Sequence, residues 1–435
     1  MNTYIEDKRE ISVLGNYDVL VLGGGPAGVS AAVTAGRLGA KTMLIEQLGN
    51  VGGMSTTGLM SHWTGNTKGG IYEEIIKRSV SMEEEEYVHT NKSSRQTINP
   101  ENLKTVYLQM LEEANVHIRL YTFASEVIME DNRLKGVIVE SKSGREAIMA
   151  KVVIDGTGDG DIAFQAGVDF VKGREEDGLM QPATLMFKIA GVDYSKAVFP
   201  GKFEDHLMIP KGDIQKLGED SLPFPAGHVL LYRTSLPGVV TCNMTNVLEI
   251  DGTNVDDLVR ATIQCRKQMQ PIVNFLRNNV SGYEKCYVIS SADLIGIRET
   301  RHFKGLYTIN EKDIEEGRIF DDWVVSKAHF NFDVHNISGS GLDKTGAQDT
   351  FKQKKGYTIP YRCFIPEKID GLLLSGRNIS GTHLAHSNFR AMPICANMGQ
   401  AVGIAAYIAA RENGLPRDVD VKEIQEILKD QGCVK

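Results

Sequence analysis

Residues 18–28, DVLVLGGGPAG, decide how this chain is read. Val19 to Leu22 form the short apolar run of a buried parallel strand, and Gly23, Gly25 and Gly28 follow at once in GxGxxG spacing. The run PAGVSAAVTAGRL at 26–38 then predicts a helix, with Pro26 in its first turn, alanines that allow close packing on a sheet, and Gly39 as its stop. Strand, tight turn and helix aim unpaired N–H groups and a positive dipole end at a pyrophosphate, and glycines let the backbone approach it. A second strand, Lys41 to Ile45, ends at Glu46, 18 residues beyond Gly28, near the spacing at which a carboxylate accepts hydrogen bonds from a ribose diol. The expected ligand is a dinucleotide without a 2′-phosphate. A lone GxGxxG can be a mere glycine turn; strand, helix and correctly spaced acid together favour the binding site.

Two more glycine segments, VVIDGTGDGD at 152–161 and LLLSGRNISG at 372–381, also follow apolar strands, which points to one crevice closed by both ends of the protein. LGNVGGMSTTGL supplies Gly52, Gly53 and Met54 in a loop that lies along a cofactor or is a plain surface turn. Asn99 and Pro100 open a helix over roughly 100–115, with Leu103, Val106, Tyr107, Met110, Leu111 and Ala114 on one face. From 123 to 155 the period changes to two, with turns at Asp131–Asn132 and Ser143–Gly144, which reads as a β-meander. The block from about 175 to 355 differs: strands near Leu185–Ala190 and Cys286–Ile289, and a long helix from Val255 that Pro271 should kink or end. AMPICANMGQAVGIAAYIAA, from Ala391, reads as a helix with Pro393 in its first turn and Gly399 and Gly403 for close packing. The fold expected is α/β, a Rossmann-like dinucleotide domain with a β-meander (1–175 and 356–435) and an inserted α+β substrate domain (176–355).

The chain has 435 residues, enough for about two or three domains. Its 48 Lys and Arg against 56 Asp and Glu give a net charge of −8, which argues against nucleic acid as a partner. Glu83 to Glu86 read as a solvated helix face, and Lys352, Lys354 and Lys355 as a solvated loop. MNTYIEDKRE lacks the apolar core of a secretory signal, and no stretch is read as a membrane helix, so a cytoplasmic protein is expected. Six cysteines occur without a CxxC pair, so neither an iron–sulfur cluster nor a zinc site is expected, and no metal is assigned.

GGGPAG with Glu46, then VGGM, the meander ending in VVIDGTGDGD, GIRETR at 296–301, YTIPYRCFIP, LLLSGRNIS and RAMPICANMGQAVGIAA together resemble the bacterial FAD-dependent oxidoreductases of the glutathione-reductase-type fold. The ending is more distantly similar to the flavoproteins of succinate dehydrogenase and fumarate reductase, where a polar loop carrying His and Arg precedes a helix whose N-terminus points at the flavin. The resemblance covers most of the chain. It implies FAD as cofactor, with contacts from Gly23, Gly25, Gly28, Glu46, Gly53, Gly158 and Gly376, and from Val127 through its backbone. Pro26, Ala27, Met54, Arg377 and Met392, on the same loops and helix starts, are expected to line that site. One GxGxxG, where relatives that bind both FAD and NAD(P)H carry two, argues against a separate nicotinamide domain. Electrons then enter from substrate or from an external donor or acceptor.

The expected chemistry is hydride transfer between flavin N5 and a small organic substrate at a CH–CH or CH–OH bond. Removing carbon-bound hydrogen needs a positioned base. His383 and His386, in GTHLAHSNFR, and Arg390 at the start of the following helix are the first candidates, set against the reading of each His as a satisfied loop residue. Arg298 and Arg301 in GIRETR suit a carboxylate or phosphate, or else form salt bridges between domains. His62, His329 and His335 are weaker options. The competing readings are an NAD-dependent dehydrogenase and a binding or scaffold protein in which FAD is structural.

Overall fold

The structure is a computed structural model that describes residues 3–60, 62–82, 96–200 and 204–434; the acidic run at 83–86 lies outside them. β1 (Ser12–Leu22) starts exposed and ends buried at Val19–Leu22, as a strand entering a sheet centre must. It leads into α1 (Pro26–Arg37) and β2 (Thr42–Ile45). α2 (Pro100–Glu113) is capped by Asn99, whose side chain accepts the Glu101 N–H, and buries Leu103, Val106, Tyr107, Met110 and Leu111. β3 (His117–Arg119) follows, then the meander β4 (Phe123–Glu130), β5 (Arg133–Ser141) and β6 (Gly144–Asp155). The middle of the chain supplies β7 (Phe187–Ala190), β8 (Leu231–Arg233), β9 (Val240–Cys242), α3 (Val255–Asn279) and β10 (Tyr287–Ser291). The C-terminal return supplies β11 (Leu372–Leu374), α4 (His383–Phe389) and α5 (Met392–Arg411).

The main sheet runs β3-β2-β1-β6-β5-β4, with β11 also paired to β6. β6 is the hinge of the topology. Its first half pairs antiparallel with β5 (Val137 opposite Ile148), and its last residues pair in parallel with β1 on one side and β11 on the other, Ile154 lying opposite both Val21 and Leu373. Three parallel strands therefore end side by side at Leu22, Asp155 and Leu374, and each opens into one of the three glycine segments. α1 and α5 pack tightly beside this point: a Cβ on Gly399 would fall 2.0 Å from the Ala27 carbonyl oxygen, and one on Gly403 2.5 Å from that of Ala31. The α/β class, with a parallel-strand Rossmann-like sheet and an additional sheet-and-helix unit, is as expected.

The additional unit is a four-stranded antiparallel sheet, β8-β9-β7-β10, packed against α3. Its core draws on residues 183–295 and Leu59. The change of core does not fall near 355, because Phe303, Ile309, Trp323, Val325 and Phe332 pack with the first core instead. α3 continues through Pro271 to Asn279, so the proline does not end it; Cys265, Gln268, Met269, Ile272, Val273 and Leu276 hold a buried face on both sides of the break in backbone bonding. Residues 383–389, expected as loop, are helical: Thr382 caps them by accepting the Ala385 N–H, and Ala385 to Phe389 are buried. α5 is 20 residues long with a mean hydropathy of 1.2, long and apolar enough to cross a membrane by length and composition, but 89% of its most apolar stretch is buried inside the fold. All six cysteines are buried and free.

Candidate active site

The glycine turn after β1 is built for close backbone approach. Gly23 has φ +90°, and a Cβ there would meet the Gly156 carbonyl oxygen at 2.5 Å. A Cβ on Gly28 would fall 1.8 Å from the Gly23 carbonyl oxygen, so this glycine serves helix–strand contact and does not itself line the cavity. Gly25 is the reverse case: nothing lies within 4 Å of an added Cβ, and a side chain there would project into the cavity it lines. Glu46 is buried and fixed, its Oε2 accepting from Gly24 N–H at 2.7 Å and its Oε1 from Leu48 N–H at 2.8 Å. Burial lifts its pKa above the usual carboxylate value, and the backbone donors work against that rise.

The other two glycine segments are tied to the first by polar bonds. Buried Asp155 accepts from Thr157 N–H and from Ala163 N–H, which fixes the turn after β6; burial pushes its pKa up to about 6. Asn378 donates to the Asp155 carbonyl at 2.9 Å and accepts the Ser375 N–H at 3.0 Å, locking β11 to β6. Asp159 accepts from Arg377 Nη2 at 3.0 Å and from the Thr300 hydroxyl at 2.8 Å, joining all three parts of the chain.

These loops open on one cavity of about 1010 Å³, at the upper end of the roughly 300–1,000 Å³ typical of ligand pockets. Gly23, Gly25, Pro26, Ala27, Glu46, Gly53, Met54, Gly158, Gly376, Arg377 and Met392 line it, each expected from the sequence. The lining fits a dinucleotide: helix N-termini at Pro26 and Met392, open space at Gly25, and an ionisable acid held in place. Val127 is not part of that wall. It pairs with Val137 inside the meander, and Phe123, four residues earlier at the start of β4, lines the cavity instead.

The same cavity extends to the second unit, where Thr184, Met186, Tyr232, Asn243, Ile295 and Arg298 line it together with His329, Asp333, His335 and Arg390. Arg390 donates through Nη2 to Asp333 Oδ2 and to the Asp333 carbonyl, both at 2.8 Å, while its buried Nε has no hydrogen-bond partner. Arg298 donates to the Pro182 carbonyl at 2.5 Å; burial and the neighbouring Arg390 pull its pKa down to about 10, so it stays charged. Burial works to protonate Asp333, but the charges and bond of His335, Arg390 and Arg298 outweigh it and keep the carboxyl well below the usual range. His335 lies 3.5 Å from Asp333 and is held down to about 4 by burial and by Arg298, so it is neutral at pH 7. Arg298 and Arg390 bring two guanidinium groups to this wall, with Asp333 and, beside Ile295, Asp293 as its carboxylates.

His383 and His386 do not line the cavity. The α4 helix turns them toward the GIRETRH segment, where His383 Nδ1 lies 2.6 Å from Glu299 Oε1 and His386 packs edge-on against His302 at 4.7 Å between ring centres. Arg301, the partner suggested for Arg298, is also elsewhere: it bonds Asp161 at 3.0 Å and covers the Phe164 ring. His62 stacks on Tyr232. The residues the sequence did not bring to the site, above all Asp333 and Tyr232, lie in segments with no motif; His335 was visible only as a stray histidine.

A three-strand glycine crevice, a fixed acid and a charged pocket beyond it define a dinucleotide-binding α/β enzyme. The chain belongs to the FAD dependent oxidoreductase family, which it matches over residues 18–428, and FAD is accordingly its cofactor. Over 159 residues it is 28% identical to the digeranylgeranylglycerophospholipid reductase of Picrophilus torridus, a match spanning 33% of this chain and 39% of that protein. A geranylgeranyl bacteriochlorophyll reductase-like protein of Thermoplasma acidophilum is similar over 96% of this chain and 84% of its own, at 14% identity and a TM-score of 0.49. The p-nitrophenol 4-monooxygenase of Pseudomonas putida is similar over 97% and 85%, at 11% identity and a TM-score of 0.45.

Proposed function

We propose that this FAD-dependent oxidoreductase transfers hydride between FAD and a small anionic organic substrate at a CH–CH or CH–OH bond. The observation that carries this reading is the pairing of Arg298 and Arg390 on the wall of the cavity that also holds the glycine crevice. Bound FAD supplies hydride acceptance or donation at its N5. Arg390, steered by Asp333, and Arg298, steered by the Pro182 carbonyl, orient a carboxylate or an equivalent oxyanion. Met54, Met60, Met186 and Ile295 exclude water around it, which strengthens every polar contact inside. His335 takes the role first assigned to His383 and His386: neutral at pH 7, in the cavity and oriented by Asp333, it moves the substrate proton. The N-terminus of α5, with Met392 on the cavity wall, favours negative charge beside it. With one dinucleotide fingerprint in the chain, the second half-reaction uses a separate donor or acceptor rather than a second built-in nucleotide domain.

Anaerobic mixing of the purified FAD-loaded protein with a panel of small carboxylic acids and their neutral amides tests this, read by flavin absorbance. Acids are expected to change the flavin redox state and their amides are not. Equal response to both would remove the arginine wall from substrate recognition.

A further inference from the structure

Glu299, His302, His383 and His386 form a cluster outside the cavity wall, and nothing in the reaction above uses it. Glu299 is fully buried; its Oε1 lies 2.7 Å from His302 Nε2 and 2.6 Å from His383 Nδ1, while its Oε2 accepts the Gln181 N–H. His302 and His386 are 2% and 1% exposed, and the Nδ1 of each has no hydrogen-bond partner. One carboxylate oxygen and one ring nitrogen from each of these two histidines lie within 4.8 Å of one another. In sequence the four residues are two i,i+3 pairs, Glu299-x-x-His302 and His383-x-x-His386, from segments 84 residues apart.

One physical fact makes this more than a polar knot. Buried polar atoms without partners are costly, and here each of two touching imidazole rings carries one such nitrogen. A carboxylate oxygen and imidazole nitrogens are donors that borderline divalent cations take, at roughly 2.0–2.2 Å. The arginines near His386 are already committed, Arg377 to Asp159 and Arg390 to Asp333, so their charge is offset.

We propose that Glu299, His302 and His386 bind one divalent transition metal of the zinc class, with His383 as the partner that orients the carboxylate. The ligand atoms need move by no more than about an ångström to reach bonding distance. All three ligands are buried and none lines the cavity, so the ion joins two segments of the chain and does not meet substrate, its fourth position being left to water. It joins the segment that carries Arg298 to the helix that ends at Arg390, and so fixes the spacing of the two guanidinium groups. It departs from the expectation that no metal is bound, which rested on the spacing of the cysteines.

The test is elemental analysis of the FAD-loaded protein after growth with added zinc, followed by chelation and reconstitution with Co²⁺. The expected result is about one metal per chain, and with Co²⁺ the long-wavelength d–d bands of a nitrogen–oxygen site, beyond the flavin absorption. His386→Ala and His302→Asn should lose the metal and the bands while retaining FAD, which serves as the check on folding. Should both variants fail to retain FAD, wild-type Co²⁺ spectra decide by themselves. Absence of metal in zinc-grown protein together with absence of d–d bands on reconstitution would overturn the site. So would undiminished metal in the two variants.

Discussion

The two ends of the cavity are made of different materials. At the nucleotide end the wall is mostly backbone: Gly23, Gly25, Gly158 and Gly376 at strand ends, and the first turns of α1 and α5. At the substrate end it is side chain: Arg298, Asp333, His335 and Arg390, converging from separate stretches and held by one another. A backbone site depends on φ, on close approach and on strand register, all of which leave glycine in fixed places. A side-chain site depends on which loops meet, and no local rule records that.

The comparison predicts different kinds of failure, and the most severe belongs to the backbone end. Gly28→Val puts atoms where a Cβ already falls 1.8 Å from the Gly23 carbonyl, and backbone cannot step aside as a side-chain tip can. Loss of bound FAD is the expected outcome, measured as the ratio of flavin to protein absorbance with circular dichroism as the check on folding. Full FAD content would mean that the crevice tolerates a helix shift and is not set by this glycine.

At the other end, removal of a side chain should spare FAD and damage turnover. His335→Ala and Arg390→Ala are each expected to lower the rate of flavin reduction by about 10²–10⁴ while leaving the flavin bound. Arg390→Lys should recover little, because lysine keeps the charge but cannot hold Asp333 and a substrate oxygen with one planar fork. His383→Ala, behind the wall, should slow reduction less than His335→Ala; the opposite order would restore His383 to the proton-transfer role.

This division also explains what could be read beforehand. The crevice, Glu46, the meander and the α5 helix were legible because each is a local pattern with a local cause. The role of α4 was not, since GTHLAHSNFR is polar and short; its helix depends on the Thr382 cap and on burial of Phe389 and Ala385 by the rest of the protein. Once those residues are helical, His383 and His386 point to Glu299 and only Arg390 reaches the cavity. The end of the second unit was misplaced for a similar reason. Segments such as Trp323–Ala328 and Tyr357–Pro360 pair with each other and join the first core, a long-range fact that a shift in composition does not register.

Acid should probe the side-chain end as a whole. His335 titrates near 6.5 when unfolded and at about 4 when folded, so the unfolded chain binds the extra proton between those values. Stability is therefore fully present above about pH 6.5 and falls as pH drops toward 4, by about 3 kcal/mol from this group. His228, pushed down to about 3 by burial and His335, adds a loss of the same sign. Urea unfolding at pH 7 and 4.5 measures it, and His335→Asn should flatten part of the difference. A variant with the same pH dependence as wild type would show that His335 is not held neutral by the fold.

Glu46→Ala returns to the backbone end with a smaller effect. It removes the acceptor of the Gly24 and Leu48 N–H groups and, with FAD bound, the acid expected at the ribose. Weaker FAD binding by about 1.5–3 kcal/mol is expected for charge-assisted bonds, measured by titrating the apoprotein. Glu46→Gln should recover part of it, since the amide oxygen still accepts one bond.

The finest test lies where the two ends of the meander strand β4 divide. Phe123 lines the cavity with an exposed ring, whereas Val127, four residues on, is paired to Val137 and packed on the main core. A bulge between Ala124 and Glu126 breaks the alternation: Phe123 lies opposite Glu140 and Val127 opposite Val137, three residues apart on β5, so the two side chains leave the sheet on opposite faces. Phe123→Ala should then weaken FAD by about 1 kcal/mol through lost apolar contact, with no loss of thermal stability, because the ring is mostly solvent-exposed without ligand. Val127→Ala should do the opposite, costing stability through the core and leaving FAD affinity within about 0.5 kcal/mol of wild type. Apoprotein titration and thermal melting of the same two variants give all four numbers. A larger FAD defect at Val127 than at Phe123 would put the cofactor deeper along β4 than the cavity wall does, and would move the nucleotide end toward the meander core.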